Sequence, residues 1–155
     1  MLAIDIPGGA MYRFAHLVLD FNGTLAEDGA LIDGVAARIT ALAESLEIHV
    51  ITADTNSSAA RVLAGLPITL KILGSGAQDQ AKANFVQELG AQCVAVGNGR
   101  NDAVMLHAAA LGIVVIQAEC AARVTVDAAD LVSHSIQDTL DLLLNPKRLI
   151  ATLRN

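Results

Sequence analysis

Leu17-Val18-Leu19-Asp20-Phe21-Asn22-Gly23-Thr24-Leu25 sets a carboxylate at the end of an apolar run, at the point where the backbone must turn. Open α/β sheets keep their chemistry beyond the carboxyl ends of the strands, and a carboxylate there can attack phosphorus and carry an aspartyl-phosphate. Gly23 allows a tight turn, and the Thr24 hydroxyl can donate to a phosphoryl oxygen. Read alone, Asp-x-Asn-Gly is also ordinary turn chemistry, so the flanking sequence has to decide.

From residue 16 onward strand and helix alternate. Apolar, strand-length segments fall at about 16 to 20, 48 to 52, 68 to 73, 93 to 97, 112 to 116 and 130 to 133. Such alternation predicts right-handed βαβ crossovers and a mostly parallel sheet. Val35, Ile39, Leu42 and Leu46 recur at helical spacing and make one apolar face. A second helix, over 78 to 89, presents Phe85, Val86 and Leu89 and stops at Gly90, which suits a left-handed C′ position. Ser135 and Asp138 predict a capping box ahead of Leu140, Leu143 and Leu144, and Asn145-Pro146 opens a final short helix. Upstream, residues 1 to 14 read as an extended arm or a hairpin turning at Pro7-Gly8-Gly9, adding a strand at a sheet edge or covering one. The expected organisation is one domain over 1-155, with an arm at 1-14, a core at 16-134 and C-terminal helices at 135-155. Only Ala26 to Ala30 separate the Asp20 turn from the first helix, too little for an inserted lid.

Composition narrows the class. Hydrophobic residues make up 54% of the 155, yet aromatics only 3%, so the core is built from Ala, Val, Leu and Ile, which favours a parallel α/β sheet. A net charge of −6 argues against nucleic acid or anionic lipid as a partner. No basic n-region precedes an apolar segment, and the apolar runs are strand-length, so a cytoplasmic protein with no membrane span is expected. Cys93 and Cys120 lack metal or redox spacing and read as core thiols; His16, His49, His107 and His134 show no ligand spacing and read as structural or surface histidines.

Polar residues end the expected strands, and four of these ends can converge: Asp20, Thr52, a lysine, and the loop Gly97-Asn98-Gly99-Arg100-Asn101-Asp102. The division of labour follows from charge. Asp20 would attack in line, a Mg²⁺ held by its carboxylate would offset the phosphoryl charge, and Lys82 with Thr24, Thr52 and backbone N–H groups would hold the remaining oxygens. Mg²⁺ prefers oxygen ligands, which Asp20, the Asn22 carbonyl and Asp102 can supply. Lys71, at the end of the third strand, competes with Lys82; Asp102 could instead be a helix N-terminal charge; Arg100 could touch substrate or be a solvated loop cation.

Together these motifs resemble the haloacid dehalogenase superfamily. Asp20-Phe-Asn-Gly-Thr24-Leu resembles its first signature, Asp-x-Asp-Gly-Thr. Val96-Gly-Asn-Gly-Arg-Asn-Asp102 resembles the Gly-Asp-Gly-x-Asn-Asp signature of P-type ATPase phosphorylation domains. Thr52-Ala53-Asp54 stands where those ATPases have Thr-Gly-Asp, and Lys82 where the superfamily's third signature has its lysine. The resemblance spans about residues 16 to 132 and is nearest to the small, soluble, capless P-type-ATPase-like branch. It implies a three-layer Rossmann-like fold with sheet order 5-4-1-2-3, no cap domain, a Mg²⁺ cofactor and an aspartyl-phosphate on Asp20. By the same resemblance Asp20, Asn22, Thr52 and Lys82 are catalytic; Gly23, Thr24, Ala53, Arg100 and Asn101 bind phosphate or substrate; and Asp20, Asn22, Asn98 and Asp102 hold the metal.

Two positions depart from the pattern. Superfamily phosphatases use an aspartate two residues after the nucleophile as general acid and base, and Asn22 cannot exchange a proton. Asn98 replaces a metal-ligating aspartate. Slow dephosphorylation and weaker Mg²⁺ binding follow; Asp54, at a strand-to-helix junction, reads first as a helix N-cap, with a substitute base acting through a water as the lesser alternative. The expected function is a Mg²⁺-dependent phosphohydrolase or phosphotransferase acting on a phosphorylated small molecule or protein; the alternative is a weakly active or inactive phosphate-binding or regulatory module. An open site would need a neighbouring subunit as its lid for a small substrate, and apolar, Ala-rich helices leave room for a homo-oligomer.

Overall fold

The computed structural model describes residues 1–53 and 58–154; Asp54 lies outside the described residues. In chain order the strands and helices begin with β1 (Leu2–Asp5), β2 (Met11–Phe14), β3 (His16–Asp20), β4 (Ala26–Glu27), β5 (Ala30–Leu31), α1 (Val35–Leu42), β6 (Glu47–Thr52) and α2 (Ser58–Val62). They continue with β7 (Thr69–Ile72), α3 (Gln78–Leu89), β8 (Cys93–Gly97), α4 (Ala103–Ala108), β9 (Leu111–Val115), α5 (Arg123–Ala128), β10 (Leu131–Ser133), α6 (Ile136–Leu144) and α7 (Pro146–Leu153).

Six of the strands form one parallel sheet in the order β10-β9-β8-β3-β6-β7. Counted from the strand that carries Asp20, this is 5-4-1-2-3 with a sixth strand beyond the fifth. The alternation of side chains along each strand divides the buried residues between two clusters. Leu17 and Leu19 of β3, Ile48 and Val50 of β6, and Val94 and Val96 of β8 pack on one face with Val35 and Ile39 of α1 and Ile136 and Leu140 of α6. Val18, Ile51, Cys93 and Ala95 pack on the other with Val86 of α3 and Met105 and Leu106 of α4. These are the three layers. The parity also decides the chemistry: Asp20 follows Val18 by two residues, so its side chain belongs to the face covered by α3 and α4.

Several details differ from the sequence expectation. The N-terminal segment is a β1–β2 hairpin forming its own two-stranded sheet, not an added edge strand. After β2 the chain runs into β3 through Ala15 alone, and Ile4, Ile6 and Phe14 are buried in the larger cluster. Gly90 has positive φ but extended ψ, 70° and −160°, so α3 passes into a 3₁₀ turn (Gly90–Gln92) rather than a left-handed cap. Ser135 does accept a hydrogen bond from the Asp138 N–H, while its hydroxyl donates to the Asp138 carboxylate, which replaces the reciprocal bond of a full capping box. Between Asp20 and α1 the short segment is not featureless: β4 and β5 pair across Asp28-Gly29, whose φ values of 50° and 79° fit a tight hairpin turn. Among the described residues no helix is long and apolar enough to cross a membrane.

Candidate active site

Asp20 ends β3, and Lys82 sits on α3 with its side chain fully buried. The Lys82 ammonium donates to Asp20 Oδ1 at 2.5 Å and to Asp102 Oδ1 at 2.7 Å, bridging the two carboxylates. Lys82, Ala83 and Val86 form the buried stripe of α3, so helical periodicity on an otherwise apolar face aims one amine at the sheet's carboxyl edge. Lys71 lies elsewhere, with its ammonium 4.3 Å from the centroid of the Phe85 ring.

A buried triad of two acids and one base is electrostatically unbalanced. Burial and the neighbouring Asp102 push the Asp20 carboxyl up to about 7, against the opposing pull of Lys82. Burial works to lower the Lys82 ammonium, but Asp20 and Asp102 outweigh it, so the lysine stays charged and its affinity for its proton rises. Asp102 is also held by the backbone: its Oδ2 accepts from the N–H groups of Asn98 and Gly99 at 3.0 and 2.9 Å. Gly97 makes room for this, since a Cβ there would stand 2.5 Å from the Asp102 carboxylate. Asp102 thus has three of its roughly four acceptor sites occupied.

The turn after Asp20 is wound tightly around the Phe21 carbonyl, which accepts from the N–H groups of Thr24, Leu25 and Ala26. Gly23 adopts φ 75°, and a Cβ on it would meet the Asn98 side chain at 2.4 Å. Its own N–H donates to the Ala26 carbonyl. The N–H groups of Gly23 and Thr24 are therefore engaged within the turn, and Gly23 serves by allowing Asn98 to approach. Thr24 is fully buried, with its hydroxyl 3.4 Å from Asp20 Oδ2 and 3.3 Å from Asn98 Oδ1. Asn22 is exposed. Thr52 ends β6, one residue past the Ile51 that pairs with Asp20, and is buried; Ala53 follows, half-buried. Arg100 is exposed and Asn101 half-buried; with Gly76 to Asp79 they line a cleft of about 440 Å³ beside the first turn of α3.

One residue with no motif around it completes the site. Gln117, just past β9, donates to the carbonyls of Gly23 and Thr24 at 3.1 and 3.0 Å and accepts from the Ile136 N–H at 2.7 Å. It ties the Asp20 turn to the start of α6. The signal available in the sequence was a lone amide directly after an apolar strand, too common to single out. Asn98 makes a second tie, its amide donating to the Cys120 carbonyl at 3.0 Å.

No family model matches the chain. The uncharacterised protein MJ0073 of Methanocaldococcus jannaschii is 42% identical over 85 residues, which are 52% of this chain and 91% of that protein. Among solved structures, the 3-deoxy-D-manno-octulosonate 8-phosphate phosphatase of Moraxella catarrhalis, in complex with magnesium, phosphate and the sugar acid, superposes with a TM-score of 0.71 at 19% identity, covering 91% of this chain and 94% of its own. The cobalt-bound phosphatase of the same name from Haemophilus influenzae gives 0.70 at 14%, covering 92% and 94%. The chain belongs to one family with the MJ0073 protein, and its fold is that of the haloacid dehalogenase superfamily of hydrolases.

Proposed function

We propose that the protein is a cytoplasmic, Mg²⁺-dependent phosphohydrolase or phosphotransferase that forms an aspartyl-phosphate on Asp20, and that it resembles the P-type-ATPase-like branch of the superfamily. The observation that carries this reading is the buried Lys82 bridge between Asp20 and Asp102 at the carboxyl edge of the sheet. Lys82 occupies Asp20 Oδ1, which leaves Oδ2 as the attacking oxygen. Attack forms the Oδ2–P bond as the bond from phosphorus to the leaving oxygen breaks. Thr24 and Thr52 are the hydroxyl donors for phosphoryl oxygens, and Arg100 and Asn101 line the neighbouring cleft where the rest of a phosphorylated molecule would lie.

The donor set fits a hard cation: Asp20, the Asn22 carbonyl, Asn98 Oδ1 and Asp102 all offer oxygen, although only Asp20 and Asp102 bring charge. Bound there, Mg²⁺ would neutralise the carboxylate and phosphoryl charges and hold Asp20 ionised. The two metal-bound phosphatases above use the same fold. Asn22 can neither protonate the leaving group nor activate water, so the leaving group must be a good one and hydrolysis of the phosphoenzyme slow.

The test is phosphate release from aryl, acyl and sugar phosphates by wild type, Asp20→Asn and Asn22→Asp. Release that needs a divalent cation and disappears in Asp20→Asn supports the reading. A second reading, a phosphate-binding or regulatory module, is favoured by the uncharged, exposed Asn22; it predicts phosphate binding with no release by any of the three proteins.

A further inference from the structure

At the opposite, amino-terminal end of the same strands lies a second cluster that the Asp20 chemistry does not use. His16 opens β3, and Glu47 and His49 lie on β6, with His16 paired to Glu47 and Val18 to His49 in the sheet register. Each of the three offers a ligand atom within 4.8 Å of the others, the one such trio of His, Cys, Asp and Glu among the described residues. At about 3.3 Å per residue, the four-residue step from His16 to Asp20 puts the cluster roughly 13 Å from Asp20.

The distances fit coordination as well as hydrogen bonding. His16 Nδ1 stands 3.3 Å from His49 Nε2 and 3.3 Å from Glu47 Oε2. Both are longer than the usual range of about 2.7–3.2 Å for a hydrogen bond from nitrogen. A tetrahedral ion with bonds of about 2.0–2.1 Å holds its ligand atoms about 3.3 Å apart. Proton counting points the same way. His16 Nδ1 carries at most one proton, which cannot be directed at both neighbours. An edge-on contact with Phe85, ring centroids 5.3 Å apart, fixes the His49 ring. The Glu47 side chain is 75% exposed, free to close on an ion and leaving a path for its entry.

We propose that His16, Glu47 and His49 form a binding site for a zinc-class transition-metal ion, with solvent in the fourth position, that clasps β3 to β6 at the end of the sheet remote from Asp20. Two imidazoles and one carboxylate suit Zn²⁺, Co²⁺ or Ni²⁺ rather than Mg²⁺.

Co²⁺ is the probe. The full chain, stripped of metal and held in excess Mg²⁺ so that oxygen-only sites are filled, is titrated with Co²⁺ and followed by visible ligand-field absorption. One equivalent should bind with the intense bands of a four-coordinate ion, and His16→Gln or Glu47→Gln should each weaken binding by about 100-fold or more, the upper end of what loss of even an outer-shell partner costs. Glu47→Gln, being on the surface, leaves the packing untouched. Asp20→Asn should titrate like wild type. Absence of a saturable band, unchanged titration of both His16→Gln and Glu47→Gln, or loss of binding in Asp20→Asn would each overturn the site. None of these outcomes depends on whether the protein releases phosphate.

Discussion

Replacing Asp20 by asparagine should make the metal-free protein more stable at alkaline pH while abolishing its chemistry. With both acids ionised, the buried triad of Asp20, Asp102 and Lys82 carries a net charge of −1 and is 0–10% exposed at its side chains. The protein resolves this by holding the Asp20 carboxyl near 7 instead of 3.8. A raised carboxyl means that the folded state binds more protons than the unfolded state between those two values. Stability therefore falls as pH rises through that window and levels off above it. A shift of about three units at 1.36 kcal/mol each amounts to roughly 4 kcal/mol. The Asp20→Asn substitution would remove the titration and leave Lys82 paired with Asp102 alone.

The assay is urea unfolding of wild type and Asp20→Asn from pH 4 to 9 in chelator. The stability advantage of the variant should be smallest near pH 4, climb by no more than about 1.4 kcal/mol per pH unit, and plateau near 4 kcal/mol above pH 8. A difference between the two proteins that does not change with pH would refute the electrostatic account. So would a variant less stable than wild type at pH 8.

Asn22→Asp should raise phosphate release by about 10² to 10⁴, most for poor leaving groups, as measured by kcat across an aryl phosphate series of graded leaving-group pKa. Lys82→Met, which is of similar length, leaves two buried carboxylates facing each other and should destabilise by about 3–5 kcal/mol at pH 8, with a smaller loss at pH 5 where Asp20 takes up a proton; denaturant midpoints at the two pH values test this. Gly97→Ala drives a methyl to 2.5 Å from the Asp102 carboxylate, so the lysine bridge should be displaced and phosphate release lost even where circular dichroism shows a folded protein. Gln117→Leu strips partners from two carbonyls and one N–H and should cost about 1–3 kcal/mol, with faster amide exchange over residues 23–26.

The parts of the fold that follow from periodicity were legible in the sequence. The apolar run Leu17-Val18-Leu19 ahead of Asp20 marks β3, and the i, i+4, i+7 spacing of Val35, Ile39 and Leu42 matches the buried stripe of α1. Lys82 could be set against Lys71 only by family register, because the sequence does not show which face of α3 meets the sheet; the structure places Lys82 at Asp20. The β4–β5 hairpin carried an Asp-Gly turn signal but strands of only two residues, too short for alternation to show. Gln117 and the His16, Glu47 and His49 cluster were invisible for another reason. Their contacts join positions 19 to 94 residues apart, and such contacts depend on strand register and on where a loop returns, neither of which is encoded by local pattern.

The two asparagines that depart from the superfamily pattern turn out to be different in kind. Asn98 is needed as an amide: its Nδ2 donates to the Cys120 carbonyl, while its backbone carbonyl accepts from the Ala122 N–H, so the residue latches the loop after β9 onto the site. A carboxylate there would face a carbonyl oxygen and add a further negative charge beside a triad already in excess by one. Folding therefore accounts for Asn98. Asn22 is exposed, and its side chain has no hydrogen-bond partner among the described residues, so the packing of the described residues does not require an amide in place of a carboxylate. On the proposed mechanism its identity bears on the chemistry, where an uncharged residue beside Asp20 would permit formation of a phosphoenzyme and withhold the base that would discharge it. On the proposed mechanism, the longevity of the aspartyl-phosphate rests on Asn22, whereas Asn98 bears on how well the site holds its shape and its cation.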